Sequence, residues 1–253
     1  MKLKFSLPLI LALLIVMGCA NTRKLTYFND IAVATGTDSL HRMQQLKIQP
    51  GDILQITITT LDKEVSQMFN PNVAASGPAS GSGIEQGYLV DSVGIITLPV
   101  IGKINVKNKT TTAINDLVSQ ELDKTVRSTY VSTRLVNFRV SVLGDVAHPG
   151  SFRIGAERAS ILDVLSMAGD LNITAKRDDI MIIREINGIK KYTSVNLNDS
   201  KTLSSDYYYL RNNDVIYVKP GPDRKFATSK TVQLLPAIIG VISLITTIVI
   251  LNK

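Results

Sequence analysis

Between Leu46 and Pro220 the apolar residues repeatedly change their spacing, and this restricts the chain to a fold that interleaves strands and helices. Ile53 to Thr60 alternates, with Leu54, Ile56 and Ile58 on one face and Gln55, Thr57 and Thr59 on the other. That is a half-buried strand, entered through the turn Pro50-Gly51-Asp52. Tyr88 to Val90 and Ile95 to Leu98 read as short strands around a turn at Asp91-Ser92-Val93-Gly94, and Pro99 to Val106 extends them as a meander with Gly102 as a turn. Thr110 to Val126 then takes helical spacing, with Ile114, Leu117, Val118, Leu122 and Val126 in one stripe and N-cap candidates in Thr110-Thr111-Thr112. Leu135 to Leu143 reads as one strand, with Val136, Phe138, Val140 and Val142 opposed to Asn137, Arg139 and Ser141. Turns at Gly144-Asp145 and His148-Pro149-Gly150 precede a strand over Ser151 to Ile154. A short helix over Ser160 to Ala168 carries a Ser160/Asp163 capping box and stops at Gly169. Ile180 to Glu185 and Ile189 to Val195 predict a hairpin across Asn187-Gly188, and Val215 to Val218 a last strand before Pro220-Gly221-Pro222. The fold class is α+β.

The ends differ in kind from this middle. Met1-Lys2-Leu3-Lys4 is followed by an apolar run from Phe5 to Met17 and then by Gly18-Cys19. A short basic segment and an apolar stretch too short to span a bilayer make a secretory signal over 1–18. Val16-Met17-Gly18-Cys19 fits a lipobox, which makes Cys19 the lipidated first residue of the mature chain. Cys19 is the only cysteine, and lipid on its sulfur removes the liability of a lone thiol in an oxidising compartment. Residues 19–45 are polar and weakly patterned, and read as a tether from the lipid to the first folded unit.

At the other end, Val232 to Leu251 contains no charged residue, with Arg224, Lys225 and Lys230 before it and Lys253 after. The length suits a membrane-spanning helix over 230–252. Pro236 can sit in its first turn if the helix proper starts there, since a missing N–H costs little at that place. From Pro236 to Lys253 such a helix is about 27 Å long, which suits a thin membrane. Gln233, Pro236, Gly240, Ser243 and Thr247 step by 3, 4, 3 and 4, so they share one stripe of the helix. The stripe is either a helix-packing surface or the wall of a water-filled lumen in a ring of copies. Both readings predict self-association.

Little in the chain resembles catalytic machinery. Its two histidines are His41 in the tether and His148 in a turn. Lipidation leaves no free cysteine, so Cys/His zinc sets are excluded. Asp178-Asp179 is a carboxylate pair whose members point apart on a strand. Residues 74–83 are a flexible Gly/Ser loop, which lacks the Gly-Lys-Ser/Thr ending of a phosphate loop. Tyr207-Tyr208-Tyr209 could stack on sugar rings or could simply be an edge cluster. No catalysis is expected, and no cofactor beyond the covalent lipid on Cys19. The net charge of +7 is spread along the chain without a basic run, so nucleic acid is not an expected partner.

Several segments, in order, resemble the outer-membrane polysaccharide export lipoproteins that secrete capsule and exopolysaccharide in Gram-negative bacteria. Lys47-Ile48-Gln49-Pro50-Gly51-Asp52-Ile53-Leu54-Gln55-Ile56 is similar to the opening of the family's export domain. Tyr88-Leu89-Val90-Asp91, Gly94, Ile96, Leu98-Pro99 and Ile101-Gly102-Lys103 resemble its meander, and Thr111 to Leu122 its helix. Val140 to Gly150, Ile161 to Gly169 and Asp214-Val215-Ile216-Tyr217-Val218 resemble the sugar-export β-grasp domain called SLBB. The resemblance implies an export domain over 46–136, one SLBB-like β-grasp domain over 137–220 and a C-terminal transmembrane helix. It further implies an octameric ring whose C-terminal helices form a pore. An inner-membrane polysaccharide co-polymerase with tyrosine autokinase activity would deliver the polymer. The expected location is the bacterial outer membrane, with the lipid bilayer as anchor and the folded domains in the periplasm. A tail-anchored periplasmic glycan-binding or scaffold lipoprotein with no pore is the alternative reading of the same features.

Overall fold

The computed structural model describes residues 26–30, 45–70, 87–126, 128–186, 188–222, 224 and 230–251. Its elements are β1 (Ile53–Thr59), α1 (Lys63–Phe69), β2 (Tyr88–Leu89), β3 (Ile95–Leu98), β4 (Gly102–Asn105), α2 (Thr111–Leu122) and β5 (Tyr130–Leu135). These are followed by β6 (Arg139–Gly144), β7 (Gly150–Arg153), α3 (Ile161–Met167), β8 (Ala175–Ile186), β9 (Ile189–Val195), β10 (Val215–Pro220) and α4 (Lys230–Leu251). The mixture of helices and strands is α+β.

Among the described residues two hydrophobic cores form. The first gathers Leu54, Ile56 and Ile58 of β1 with Ile96, Leu98 and the α2 residues Ile114, Val118 and Leu122. The second gathers Val140 and Val142 of β6 with Ile161, Val164 and Leu165 of α3, Ile180 and Ile182 of β8, and Ile216 and Val218 of β10. Leu135 is half-buried and packs against both.

The first core sits against a three-stranded sheet ordered β2-β1-β5 and a two-stranded pair β3-β4. The expected meander is therefore divided. β2 pairs antiparallel with β1, while among the described residues β3 pairs only with β4. The turn itself is held by Asp91, whose Oδ1 accepts from the amides of Val93, Gly94 and Ile95 at 2.9, 2.8 and 2.8 Å. Those three bonds hold the Asp91 carboxyl below its ordinary range. α2 begins as expected, with Thr110 Oγ1 accepting from the Ala113 amide, and ends at Leu122 rather than Val126. α1 was not expected from the spacing. Its stability is local: Asp62 caps the start and Asn70 the end.

The long strand expected over Leu135 to Leu143 is two strands in two different sheets. β5 runs antiparallel to β1, and β6 lies between β7 and β10. The break is at Asn137, whose Oδ1 accepts from the Ile53 amide at 2.8 Å and whose Nδ2 donates to the Gly51 carbonyl at 3.0 Å. A side chain that completes the edge of β1 leaves the strand ladder at that point.

The second sheet is ordered β7-β6-β10-β8-β9, with β10 parallel to β6 and antiparallel to β8. Gly144 ends β6 at φ +98°, where a Cβ would lie 2.0 Å from the Val218 carbonyl oxygen. The capping box of α3 forms on both sides: the Ser160 amide donates to Asp163 Oδ2 at 2.8 Å, and the Asp163 amide to Ser160 Oγ at 3.2 Å. β8 and β9 form the expected hairpin, with Ile186 opposite Ile189; β8 begins earlier, at Ala175. Asn187 lies outside the described residues.

Candidate functional site

The tether is expected to serve the first folded unit, but its described part docks on the second. The amides of Phe28 and Asn29 donate to the carbonyls of Leu197 and Asn198 at 3.0 and 2.8 Å. Asp30 accepts from the Ser200 amide at 2.8 Å and from its hydroxyl at 2.6 Å. Tyr27 donates to Asp170, and its ring lies 5.8 Å from the Arg177 guanidinium. Burial, then the bond to Asp170, pushes the Tyr27 hydroxyl well above its ordinary range. Arg177 is itself buried, with its fork on the carbonyls of Asn172 and Leu171, both at 3.3 Å.

The chain leaving β10 meets the same end of the second sheet. The Gly221 amide donates to the Thr174 carbonyl at 2.6 Å. Arg224 Nη1 lies 2.9 Å from Asp145 Oδ1, and that carboxylate is only 1% exposed. Asp145 also accepts from Asn172 Nδ2 at 2.9 Å and Thr174 Oγ1 at 2.7 Å. The segment 170–177 thus holds both the incoming strap and the outgoing linker. Asp145, expected only as a turn residue, is the buried acceptor that fixes the linker.

α4 extends from Lys230 to Leu251, so Pro236 lies in the helix interior and not in its first turn. The ring of an interior proline removes the donor to the carbonyl four residues earlier, here that of Val232. Gly240, Ser243 and Thr247 are exposed along the helix, and Thr247 Oγ1 donates to the Ser243 carbonyl at 2.9 Å. A hydroxyl bonded within its own helix carries no unmet polar demand into an apolar environment. Leu234, Ile238, Ile239, Val241, Leu244, Ile245 and Ile248 are exposed as well. The side chain of Gln233 lies outside the described residues, as do Cys19, His41 and the Gly/Ser loop at 74–83. Among the described residues, no helix is long and apolar enough to cross a membrane, so the expected span over 230–252 is present as a helix only.

The tyrosine run does not act as one surface. Tyr207 packs against the second core, with the Arg184 guanidinium 4.8 Å from its ring. Tyr208 and Tyr209 meet edge to face at 5.1 Å, and Arg158 lies 5.5 Å from the Tyr209 ring. Arg184 and Asp214 form a buried pair with side chains 3% and 1% exposed, at 2.6 Å. Arg184 also donates to the Tyr209 carbonyl at 3.0 Å, which fixes the backbone of the run.

Tyr209, with Gln45, Leu46, Lys47, Arg158, Leu210 and Arg211, lines a cleft of about 100 Å³. That is below the roughly 300–1,000 Å³ of pockets that enclose small molecules, so the cleft can grip one edge of a ligand. It lies at the seam of the two cores: Leu46 packs in the second and Ile48 in the first. The adjoining loop closes the seam, with Asn212 Nδ2 donating to Asp52 Oδ1 at 2.7 Å and Asn212 Oδ1 accepting from the Arg139 amide at 3.0 Å. Lys47 appears in the sequence only within the opening segment of the export domain, Arg158 and Arg211 carry no signal there, and only the fold assembles the three.

His148 is exposed in its turn. Asp178 and Asp179 point apart as expected; Asp179 bonds Lys219 Nζ at 2.8 Å and Ser194 Oγ at 2.7 Å, while Asp178 is exposed. Among the described residues no group of three or more His, Cys, Asp or Glu side chains is placed to hold a metal ion.

Residues 41–136 match the family described as polysaccharide biosynthesis/export protein, and residues 138–218 match the SLBB domain. The EPS I polysaccharide export outer membrane protein EpsA of Ralstonia nicotianae is 27% identical over 195 residues, which cover 74% of this chain and 51% of that protein. The protein of the same name from Ralstonia solanacearum is 27% identical over 198 residues, with the same coverage. The chain spans about half the length of these curated relatives. With two matched segments that follow each other in the family's order, the chain belongs to the polysaccharide export family.

Proposed function

We propose that this protein exports an extracellular or capsular polysaccharide across the bacterial outer membrane as a closed, octameric ring of identical copies, with no chemical step of its own. Lipid on Cys19 and the helix α4 attach it to one membrane, and the two hydrophobic cores with their sheets hang from that membrane into the periplasm. The polymer is delivered by an inner-membrane co-polymerase with tyrosine autokinase activity.

The observation that carries this reading is the shared exit of the two ends. The strap bonds Asp170 and lies over Arg177, and the linker toward α4 bonds Thr174 and Asp145. Cys19 precedes Tyr27 by eight residues, a reach of at most about 29 Å. A lipid on Cys19 and the helix after residue 230 would then both lie toward one end of the second sheet. The first core lies away from it. In sequence, Val232 to Leu251 is free of charge, and the apolar side chains of α4 find no partner in their own subunit among the described residues. Lipid outside and neighbouring copies inside would cover them, with Gly240, Ser243 and Thr247 facing the copies or the lumen. The Ralstonia relatives, named as export outer membrane proteins, support the same location and cargo.

Deletion of the gene in a strain without paralogues tests this. Polymer should accumulate inside the envelope and vanish from the surface. Unchanged surface polysaccharide would overturn the reading.

A further inference from the structure

The seam between the cores holds more positive charge than its own carboxylates neutralise. Lys47, Arg158 and Arg211 line one cleft. The buried carboxylate closest in sequence to Arg211 is Asp214, and Arg184 already occupies it through Nε on Oδ1 at 3.0 Å and Nη2 on Oδ2 at 2.6 Å. Asp214 Oδ2 also accepts from the Arg211 amide at 2.7 Å, but the Arg211 guanidinium makes no ion pair among the described residues. Lys47 and Arg158 make none there either. Burial, and then the neighbouring charge of Arg184, holds Arg211 below the ordinary guanidinium range. The charges of Asp214 and Asp206 offset this only in part, and a guanidinium presents a planar fork that fits a further carboxylate.

Apart from Gln45, the remaining wall is largely apolar. Leu46, Leu210 and the ring of Tyr209 stand beside the cations. We infer that this cleft binds a carboxylate-bearing sugar unit of the exported polymer, with the carboxylate on Arg158, Arg211 and Lys47 and the C–H face of the ring against Tyr209. The inference rests on the export reading and narrows it to an acidic polymer. A sugar acid presents both a charged edge and an apolar face, which is the pairing the cleft offers. An acidic protein side chain presents only the charge.

The test is calorimetric titration of the full-length protein in detergent with hexagalacturonate, and with maltohexaose as the uncharged comparison. Hexagalacturonate should bind, and should weaken as salt is raised. Arg158→Gln and Lys47→Gln, both at exposed positions, should each weaken it about tenfold, and Arg158→Lys by less. Maltohexaose should not bind detectably. Absence of hexagalacturonate binding, or equal binding by wild type and Arg158→Gln, would overturn the inference. So would a changed oligomer mass in Arg158→Gln with no change in titration, since the cleft would then receive an acidic side chain from another copy. The deletion strain separates this from the broader reading: polymer trapped in the envelope without hexagalacturonate binding removes the cleft assignment alone.

Discussion

Asn212 Nδ2 and Asp52 Oδ1 lie 2.7 Å apart across 160 positions of sequence, and their bond ties the turn that opens the first core to the loop that precedes β10. Asp52 is buried, and its other oxygen accepts from the Gln49 amide at 2.8 Å. Asn212→Ala should therefore leave a buried acceptor unpaired and lower stability by about 2 kcal/mol, read from the urea midpoint.

The same contact has a pH signature. Burial raises the Asp52 carboxyl above its ordinary value of 3.8, against the opposing bonds from Asn212 and Gln49. A raised folded value means the folded state holds the proton longer than the unfolded one. The stabilisation is full below the unfolded value and is lost as pH rises through the folded one. Asp52→Asn should gain relative to wild type as pH rises through that window. Melting temperatures of the two proteins, from about pH 3.5 to neutral, check this.

Gly144 is a position where the fold leaves no latitude. At φ +98° its Cβ would meet the Val218 carbonyl oxygen at 2.0 Å, so β6 and β10 could not keep their parallel pairing. Gly144→Ala should cost roughly 3–5 kcal/mol, measured by thermal unfolding.

Arg184 and Asp214 are nearly inaccessible, and the arginine also serves the Tyr209 carbonyl. Arg184→Met should destabilise by about 3–5 kcal/mol because it abandons a buried carboxylate. Arg184→Met combined with Asp214→Leu should recover part of that loss. Denaturant titration of both variants checks the pair.

The strap predicts a local effect. Tyr27→Phe removes the donor to Asp170 but leaves the ring near Arg177. Hydrogen exchange should quicken at Phe28 and Asn29, whose amides bond Leu197 and Asn198, with little change in global stability.

Much of this architecture is legible along the chain because its determinants are local. The alternation in Ile53 to Thr59, the Ser160/Asp163 capping box and the Thr110 cap each depend on neighbours a few residues away. The break at Asn137 is not legible: the residue fits the alternation, and what removes it from the ladder is an amide 84 positions earlier. The docking of residues 26–30 is hidden for the same reason, since five weakly patterned residues gain their structure from Leu197 to Ser200. The tail stripe is visible as spacing, and a helix that starts at Lys230 puts Pro236 in its interior. The cationic cleft needed the seam itself, because Lys47, Arg158 and Arg211 are far apart in sequence and meet only in the folded chain.

Export through a lumen requires the copies to close into a ring. Native mass measurement of the full-length protein, extracted with its lipid into detergent, tests it most directly. A closed assembly at eight times the subunit mass is expected, lost when residues 230–253 are removed. A monomer from the intact chain would contradict it.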